Sequence, residues 1–229
     1  MTARHQATIT KVRTLSPRLR GLTMTSPSWI GAPFSAGNKV KIDVGSGRYR
    51  SYTPAWFDAA NGQMEVVAVV HGHGPGSRWA AGSSAGDVTT VFGPVPSLRG
   101  PEGDEAWAWF VGDETTVGLF RALADALPPG AKLGGAIELE EDDAVALAAL
   151  DLPLRPAVRR GSHGDALGGW LATASLPPGP GRVWLSGHAG AVEAARRGLM
   201  GRGLDPQQIR AKPYWNRKKD RLRGLVGLG

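Results

Sequence analysis

Apolar and polar residues alternate in six short runs within the first hundred positions. They are ATITKVRTL (7–15), LRGLTMT (19–25), NKVKIDV (38–44), RYRSYT (48–53), QMEVVAVV (63–70) and DVTTVFG (87–93). Runs of this kind, rich in Val, Ile and Thr, predict strands with one face on a core. SP, AP, GSG, NG and GP separate them, and glycine and proline there supply turn geometries. Six such strands predict an antiparallel barrel or sandwich. One helical segment interrupts them, PGSRWAAGS (75–83), with Pro75 where a first helical turn tolerates a missing N–H.

The period changes after SLRGPEGDE (97–105), which sets an expected boundary between residues 1–100 and 101–229. WAWFVG, KLGGAIELE, LRPAV and RVWLSG are apolar without alternation, as in a parallel sheet covered on both faces. Each is followed by a helical pattern: DETTVGLFRALADAL, DDAVALAAL, DALGGWLATASL and AGAVEAARRGLM. The alternation predicts a doubly wound α/β unit, closed by AKPYW (211–215). The expected architecture is thus a six-stranded antiparallel β-barrel followed by a parallel nucleotide-binding-type sheet.

Composition narrows the chemistry. The chain of 229 residues has no cysteine, which excludes a disulfide scaffold, a cysteine-ligated cluster and a thiol nucleophile. Of five histidines only His71 and His73 are neighbours, and HGH between glycines is a poor metal cage, so no metal site is expected. No apolar run reaches membrane-spanning length and the first residues lack a signal-peptide pattern, so a cytoplasmic protein that does not enter a membrane is expected. The net charge of +7 is unevenly spread: residues 1–100 carry 11 Lys/Arg against 4 Asp/Glu, residues 101–209 carry 9 against 15, and the last twenty carry 7 against 1. A basic first half suits an anionic ligand. No nucleic-acid-binding module is visible, and no nucleic-acid partner is expected.

RSYT holds the first candidate site. On a strand, Arg50 and Tyr52 share one face while Thr53 turns to the other or offers its backbone. A fork of donors, a flat ring and a short hydroxyl suit a phosphate, a flat heterocycle and its polar edge. An exposed strand with a solvated arginine gives the same four letters. The run VVHGHGPGSRWAAGSSAGD (69–87) opens a helix at which the N–H groups of Gly76, Ser77 and Arg78 face an anion, aided by the helix dipole and the Ser77 hydroxyl. Arg78 adds charge, and Trp79 anchors the helix. The plainer alternative is a glycine-rich turn over a buried tryptophan. At GDETT (112–116), Gly112 ends the first parallel strand, where a ligand can approach the backbone. Asp113, Thr115 and Thr116 either cap the next helix or, for the threonines, donate to a ribose or phosphate. The GxGxxG fingerprint is missing.

RSYT, the run H-G-x-G-P-G-S-R-W-A (71–80), and then GD and FGP resemble the flavin-binding half of the siderophore-interacting protein family, a branch of the ferredoxin-reductase-like flavoproteins. In that family an R-x-Y-T/S motif and a GP-x-x-R-W-A segment hold FAD. The resemblance therefore implies FAD contacts from Arg50, Ser51, Tyr52 and Thr53, and from His71, His73, Gly74, Pro75, Gly76, Ser77, Arg78 and Trp79. FVGDET (110–115) is similar to the family's GDET segment, LSGHAGAVEAARRGLM (185–200) to its GEAGAVRALRRYL-like segment, and PYWNRKKD (213–220) to its YWRRG-like end. The chain departs from the pattern at Pro54-Ala55, Gly118 and His188, where the family has an arginine, a proline and a glutamate.

The resemblance implies a flavin-dependent oxidoreductase that passes electrons from NADH or NADPH, through FAD, to ferric iron held by an anionic siderophore. Gly112, Asp113, Glu114, Thr115, Thr116, Gly187 and His188 would receive the nicotinamide, and Tyr214, Trp215, Arg217, Lys218 and Lys219 would face the chelate. No side chain need act as acid or base. The acids of ELEEDD (138–143) follow the second parallel strand, where they accept from a 2′-hydroxyl and repel a 2′-phosphate, favouring NADH; a solvated helix start fits equally. The tail RAKPYWNRKKDRLRGLVGLG either steers the anionic chelate or is a solvated basic end. A flavoprotein with a ferredoxin-like donor, a generic flavin reductase and a non-catalytic binder of anionic ligands remain as alternatives.

Overall fold

The computed structural model describes residues 3–216, and their strands fall into two sheets. The first contains β1 (Arg4–Thr14), β2 (Leu19–Thr25), β3 (Lys39–Asp43), β4 (Tyr49–Tyr52), β5 (Pro54–Asp58), β6 (Gln63–Val69) and β7 (Val88–Val95). Helix α1 (Pro75–Gly82) joins β6 to β7. The order is β4-β3-β7-β1-β2-β6-β5, antiparallel throughout. Alternation buries Ile9, Leu22, Met24, Val40, Ile42, Met64, Val66 and Val91 in one core around Trp29.

The sheet has seven strands where the alternation pattern predicts six, and the difference lies at Pro54. The RYRSYT ladder stops at Tyr52, and PAWFD begins a new strand that pairs with β6, with an irregular register between Pro54 and Trp56. Proline is tolerated as a strand's first residue, where no ladder N–H is needed. Consecutive segments β4 and β5 therefore form the sheet's two opposite edges, with Thr53 between them. The barrel is open at this corner.

The second sheet runs β8 (Trp107–Asp113), α2 (Val117–Asp125), β9 (Lys132–Leu139), α3 (Val145–Ala149), β10 (Arg155–Val158), α4 (Asp165–Thr173), β11 (Gly181–His188), α5 (Ala189–Gly201) and β12 (Ile209–Trp215). All strands are parallel, in the order β10-β9-β8-β11-β12. Ala108, Phe110, Ile137, Leu139 and Trp184 meet α2 and α3 on one face. Trp107, Trp109, Val111, Val183 and Leu185 meet α4 and α5 on the other. Burial on both faces is why these strands do not alternate. The order reverses between β8 and β11, which opens a crevice at the carboxyl ends of the strands.

One apolar cluster spans both sheets: Leu15, Leu19, Ala55 and Val67 pack with Val117, Leu119, Phe120 and Leu123 around α2. Gly118 lies where a Cβ would be 3.1 Å from the Thr53 carbonyl oxygen, so a small residue there lets the helix approach the open corner. Asp143, wholly buried, accepts from the Ser16 hydroxyl at 2.6 Å, the Arg18 amide at 3.1 Å and Arg18 Nε at 2.7 Å. It fastens the β1–β2 turn to the segment before α3.

Candidate functional site

Arg50 and Tyr52 pair with Ile42 and Val40 across the ladder, so they share a face, while Ser51 pairs with Lys41 on the other. Both reach the start of α1. A Cβ on Gly76 would stand 3.2 Å from the Tyr52 hydroxyl and 3.4 Å from Arg50 Cγ, so glycine leaves a shallow cradle there. Arg50 is exposed, its guanidinium donating to the Tyr49 carbonyl at 3.0 Å. Tyr52 is half-buried and lies 5.6 Å from the Trp79 ring. Burial pushes its phenol up to about 12, against the opposing pull of Arg50.

Helix α1 differs in detail from its sequence-based description. Gly74 is the N-cap and Pro75 has no N–H, so Gly76 and Ser77 carry the amides that the first turn leaves without intrahelical acceptors. The Arg78 amide donates to the Gly74 carbonyl at 3.0 Å and is not offered to an anion. The Ser77 hydroxyl is also committed: it donates to the His71 carbonyl at 2.6 Å and accepts from the His71 amide at 3.0 Å. It closes the glycine-rich loop rather than pointing outward. The exposed Arg78 guanidinium donates to the His73 carbonyl. The side chain of Trp79 is only partly buried and packs at the rim of the core. His71 and His73 are exposed.

Thr53, 6% exposed at the corner between β4 and β5, shares a hydrogen bond between its hydroxyl and that of Tyr214 on β12. Burial raises the Tyr214 phenol to about 12; the Thr53 hydrogen bond opposes this and the Asp113 charge adds to it. The next residue, Trp215, donates its indole N–H to Asp113 Oδ2 at 3.0 Å. Asp113 also accepts from the His188 amide at 2.7 Å, the Thr115 amide at 3.0 Å and the Thr115 hydroxyl. Burial pushes its carboxyl above the usual aspartate range despite the Thr115 hydrogen bonds, with Glu114 adding to the rise. One carboxylate thus ties together the ends of β8, β11 and β12. Gly187 explains itself here: φ is +107°, and a Cβ would run into the Asp113 carboxylate.

Several residues expected to meet a ligand also hold this turn. Thr116 is fully buried and donates to the Asp113 carbonyl at 2.6 Å. Gly112 is required by its neighbours, since a Cβ would lie 2.6 Å from Thr116 Oγ1 and 2.7 Å from the Ser186 carbonyl oxygen. Glu114 forms a two-pronged pair with Arg159, which also bonds Glu138 and Glu140 at 3.1 Å each. Of the ELEEDD acids, Glu138 and Asp143 are therefore buried in ion pairs and are not presented to a ribose.

The crevice at the carboxyl edge of the sheet is lined by Glu140, Arg159, Gly161, Ser162, His163 and His188. His163, His188 and Trp215 form a ring cluster with centroids 4.7–5.4 Å apart. Arg159 and His163 escaped the sequence reading. Their only signal was their place just after the third parallel strand. Arg217, Lys218 and Lys219 lie outside the described residues, while Tyr214 and Trp215 are partly buried. No helix among the described residues is long and apolar enough to cross a membrane.

An open antiparallel barrel with an anion-ready helix start, joined to a parallel sheet with a crevice at its switch point, defines a flavin- and nucleotide-binding architecture. The residues present fit a flavin dinucleotide: Gly76 leaves the cradle, Arg50 the charge and Tyr52 the ring. The model of the siderophore-interacting FAD-binding domain matches residues 45–98, and that of the siderophore-interacting protein matches residues 105–218. The chain belongs to the siderophore-interacting protein family.

An uncharacterised Mycobacterium tuberculosis protein is 31% identical over 185 residues, covering 73% of this chain and 65% of its own. The NADPH-dependent ferric-chelate reductase of Escherichia coli is 30% identical over 177 residues, covering 74% of this chain and 66% of its own. The chain thus spans just under two thirds of the length of these curated relatives. The crystal structure of a siderophore utilization protein from T. fusca superposes with a TM-score of 0.80 at 27% identity, covering 94% of each chain.

Proposed function

We propose that this protein is an FAD-dependent reductase that passes electrons from NADH or NADPH to ferric iron held in a siderophore and releases ferrous iron. The observation that carries it is the convergence of Arg50, Tyr52 and the start of α1 on Gly76 in a chain of this family. Residues 1–100 would form the flavin unit and residues 101–229 the nicotinamide unit. FAD, when bound, supplies the conversion of a two-electron donor into one-electron deliveries, so that one NAD(P)H reduces two ferric ions and yields NAD(P)+, a proton and two ferrous ions. Oxygen donors hold the more highly charged ion harder, so reduction loosens the chelate.

The chain's own residues position and neutralise. Arg50, with the Gly76 and Ser77 amides, would hold phosphate; a charge-assisted contact of this kind is worth about 1.5–3 kcal/mol. Tyr52 would lie on the flavin ring, with Ser51 on the outer face of the same strand. Thr53 would meet the ring's reactive edge. His188 and Trp215 at the crevice, with Gly187 beneath them, would receive the nicotinamide end, and the basic residues after position 216 would draw the anionic chelate. Nicotinamide donors are cytoplasmic metabolites, so the activity belongs in the cytoplasm.

The test is the visible spectrum of the purified protein under anaerobic conditions, before and after NADH or NADPH, followed by ferric-chelate reduction. A flavin spectrum that bleaches with a nicotinamide and recovers with a ferric chelate is the expected result. A flavin that bleaches only with a reduced ferredoxin-like protein would replace the donor. No flavin after incubation with FAD would refute the proposal. Arg50→Ala should weaken FAD binding by ten- to a hundredfold, which is about 1.5–3 kcal/mol.

A further inference from the structure

Tyr214 comes from the edge strand of the parallel sheet, 161 positions along the chain from Thr53, yet the two hydroxyls bond directly. Thr53 is buried at the open corner of the barrel, and its carbonyl side is covered by Gly118 of α2. The strand that carries Tyr214 is pinned one residue further on, where Trp215 donates to Asp113. This fixed contact brings a phenol from the second unit onto the threonine proposed to meet the flavin edge. We infer that Tyr214 is a positioning residue, which sets the direction of the Thr53 hydroxyl and through it the balance between oxidised and reduced flavin. The inference rests on the function proposed above.

A phenol is more acidic than an aliphatic alcohol and is the better donor. Tyr214 keeps its proton far above neutral pH, because burial pushes its phenol up to about 12. On relative acidity we take the Tyr214 hydroxyl as the donor and Thr53 Oγ1 as the acceptor of this bond. A threonine hydroxyl has one proton and two lone pairs. With one lone pair taken by Tyr214, its own proton is left to a second acceptor. The oxidised flavin edge accepts a hydrogen bond, whereas the reduced edge carries a hydrogen and needs an acceptor itself. A threonine held as donor thus favours the oxidised form and lowers the reduction potential. Freed of Tyr214, the hydroxyl turns to suit either form.

The experiment is the two-electron midpoint potential of the FAD-loaded protein, by equilibrium titration against a reference dye, for wild type, Tyr214→Phe, Thr53→Val, the double variant and Thr53→Ser. Tyr214→Phe should raise the potential by about 30 mV, a tenfold change in preference between the two flavin states. It should add nothing in the Thr53→Val background, and Thr53→Ser should stay near wild type. A structural role alone would lower thermal stability and leave the potential in place. An unchanged potential in Tyr214→Phe, or an undiminished shift in the Thr53→Val background, overturns the inference and leaves the proposed function standing. If Tyr214→Phe does not fold, Thr53→Val carries the test, and an unchanged potential there overturns the inference. Failure of the wild type to bind FAD overturns the proposed function and the inference with it.

Discussion

Replacing Asp113 by alanine removes an acceptor from three donors that cannot turn away: the amides of Thr115 and His188 and the indole N–H of Trp215. The Thr115 hydroxyl can rotate to another partner. Asp113 is 3% exposed, so the loss falls on buried groups. An unpaired buried donor costs about 1–3 kcal/mol. Against this, alanine relieves the desolvation of the carboxylate, which is the main cause of its raised pKa. The adjoining space of about 10 Å³ between β8, β11 and α5 admits about one water, enough to satisfy part of the set. The net destabilisation is about 3 kcal/mol, which for a chain of this size lowers Tm by roughly 6–12 °C.

Asparagine is the informative companion. Its single oxygen should face the His188 amide and the Trp215 indole, which leaves its NH2 toward Thr115. The hydroxyl there can accept, but the Thr115 amide loses its partner. The expected cost is about 1 kcal/mol, or roughly 2–4 °C. Thermal unfolding by circular dichroism of the three proteins reads both numbers. Asp113→Ala melting within about 2 °C of wild type, or Asp113→Asn melting below Asp113→Ala, would refute the view that this carboxylate ties the three strand ends together.

Asp143→Ala should cost about 2–3 kcal/mol by chemical denaturation, because the Ser16 hydroxyl and the Arg18 amide lose their acceptor at the contact between the sheets while the part-exposed Arg18 guanidinium still faces Glu140. Gly76→Val should weaken FAD binding about tenfold with little change in Tm, since its side chain fills the cradle against Tyr52 and Arg50; isothermal titration with FAD checks it. Alkaline titration followed by tyrosinate absorbance should show two of the three tyrosines ionising near 12. Between 10 and 12 the unfolded chain has released these protons and the folded chain has not. Stability present below pH 10 is therefore lost as pH rises through about 12, by up to about 3 kcal/mol for each phenol. Earlier ionisation of both would contradict their burial.

Periodicity is a local property, and it revealed the two kinds of sheet. Runs alternating at period two became the antiparallel strands, and unbroken apolar runs such as WAWFVG became parallel strands buried on both faces. RSYT as a strand and GPGSRW as a helix start were also legible, because side-chain alternation and proline placement are local; that Arg50 and Tyr52 reach Gly76 was not, because β5 and β6 lie between them in the chain. What remained hidden is what depends on partners far along the chain. Nothing near Pro54 says that it begins a strand on the opposite edge; that required β6 to be free to pair with it. GDET read equally as ligand grip or cap, and only the approach of His188 and Trp215 made Asp113 the common acceptor of three strand ends. The acids of ELEEDD read as ribose acceptors or as a solvated helix start, and neither reading foresaw Arg159 and Arg18 folding onto Glu138 and Asp143. A buried charge is tolerated only where counter-charges or hydrogen-bond donors meet it, and those partners are chosen by packing in three dimensions. Thr53 and Tyr214 meet for the same reason: the apolar cluster around α2 brings the sheets together, and their hydroxyls lie where it leaves them.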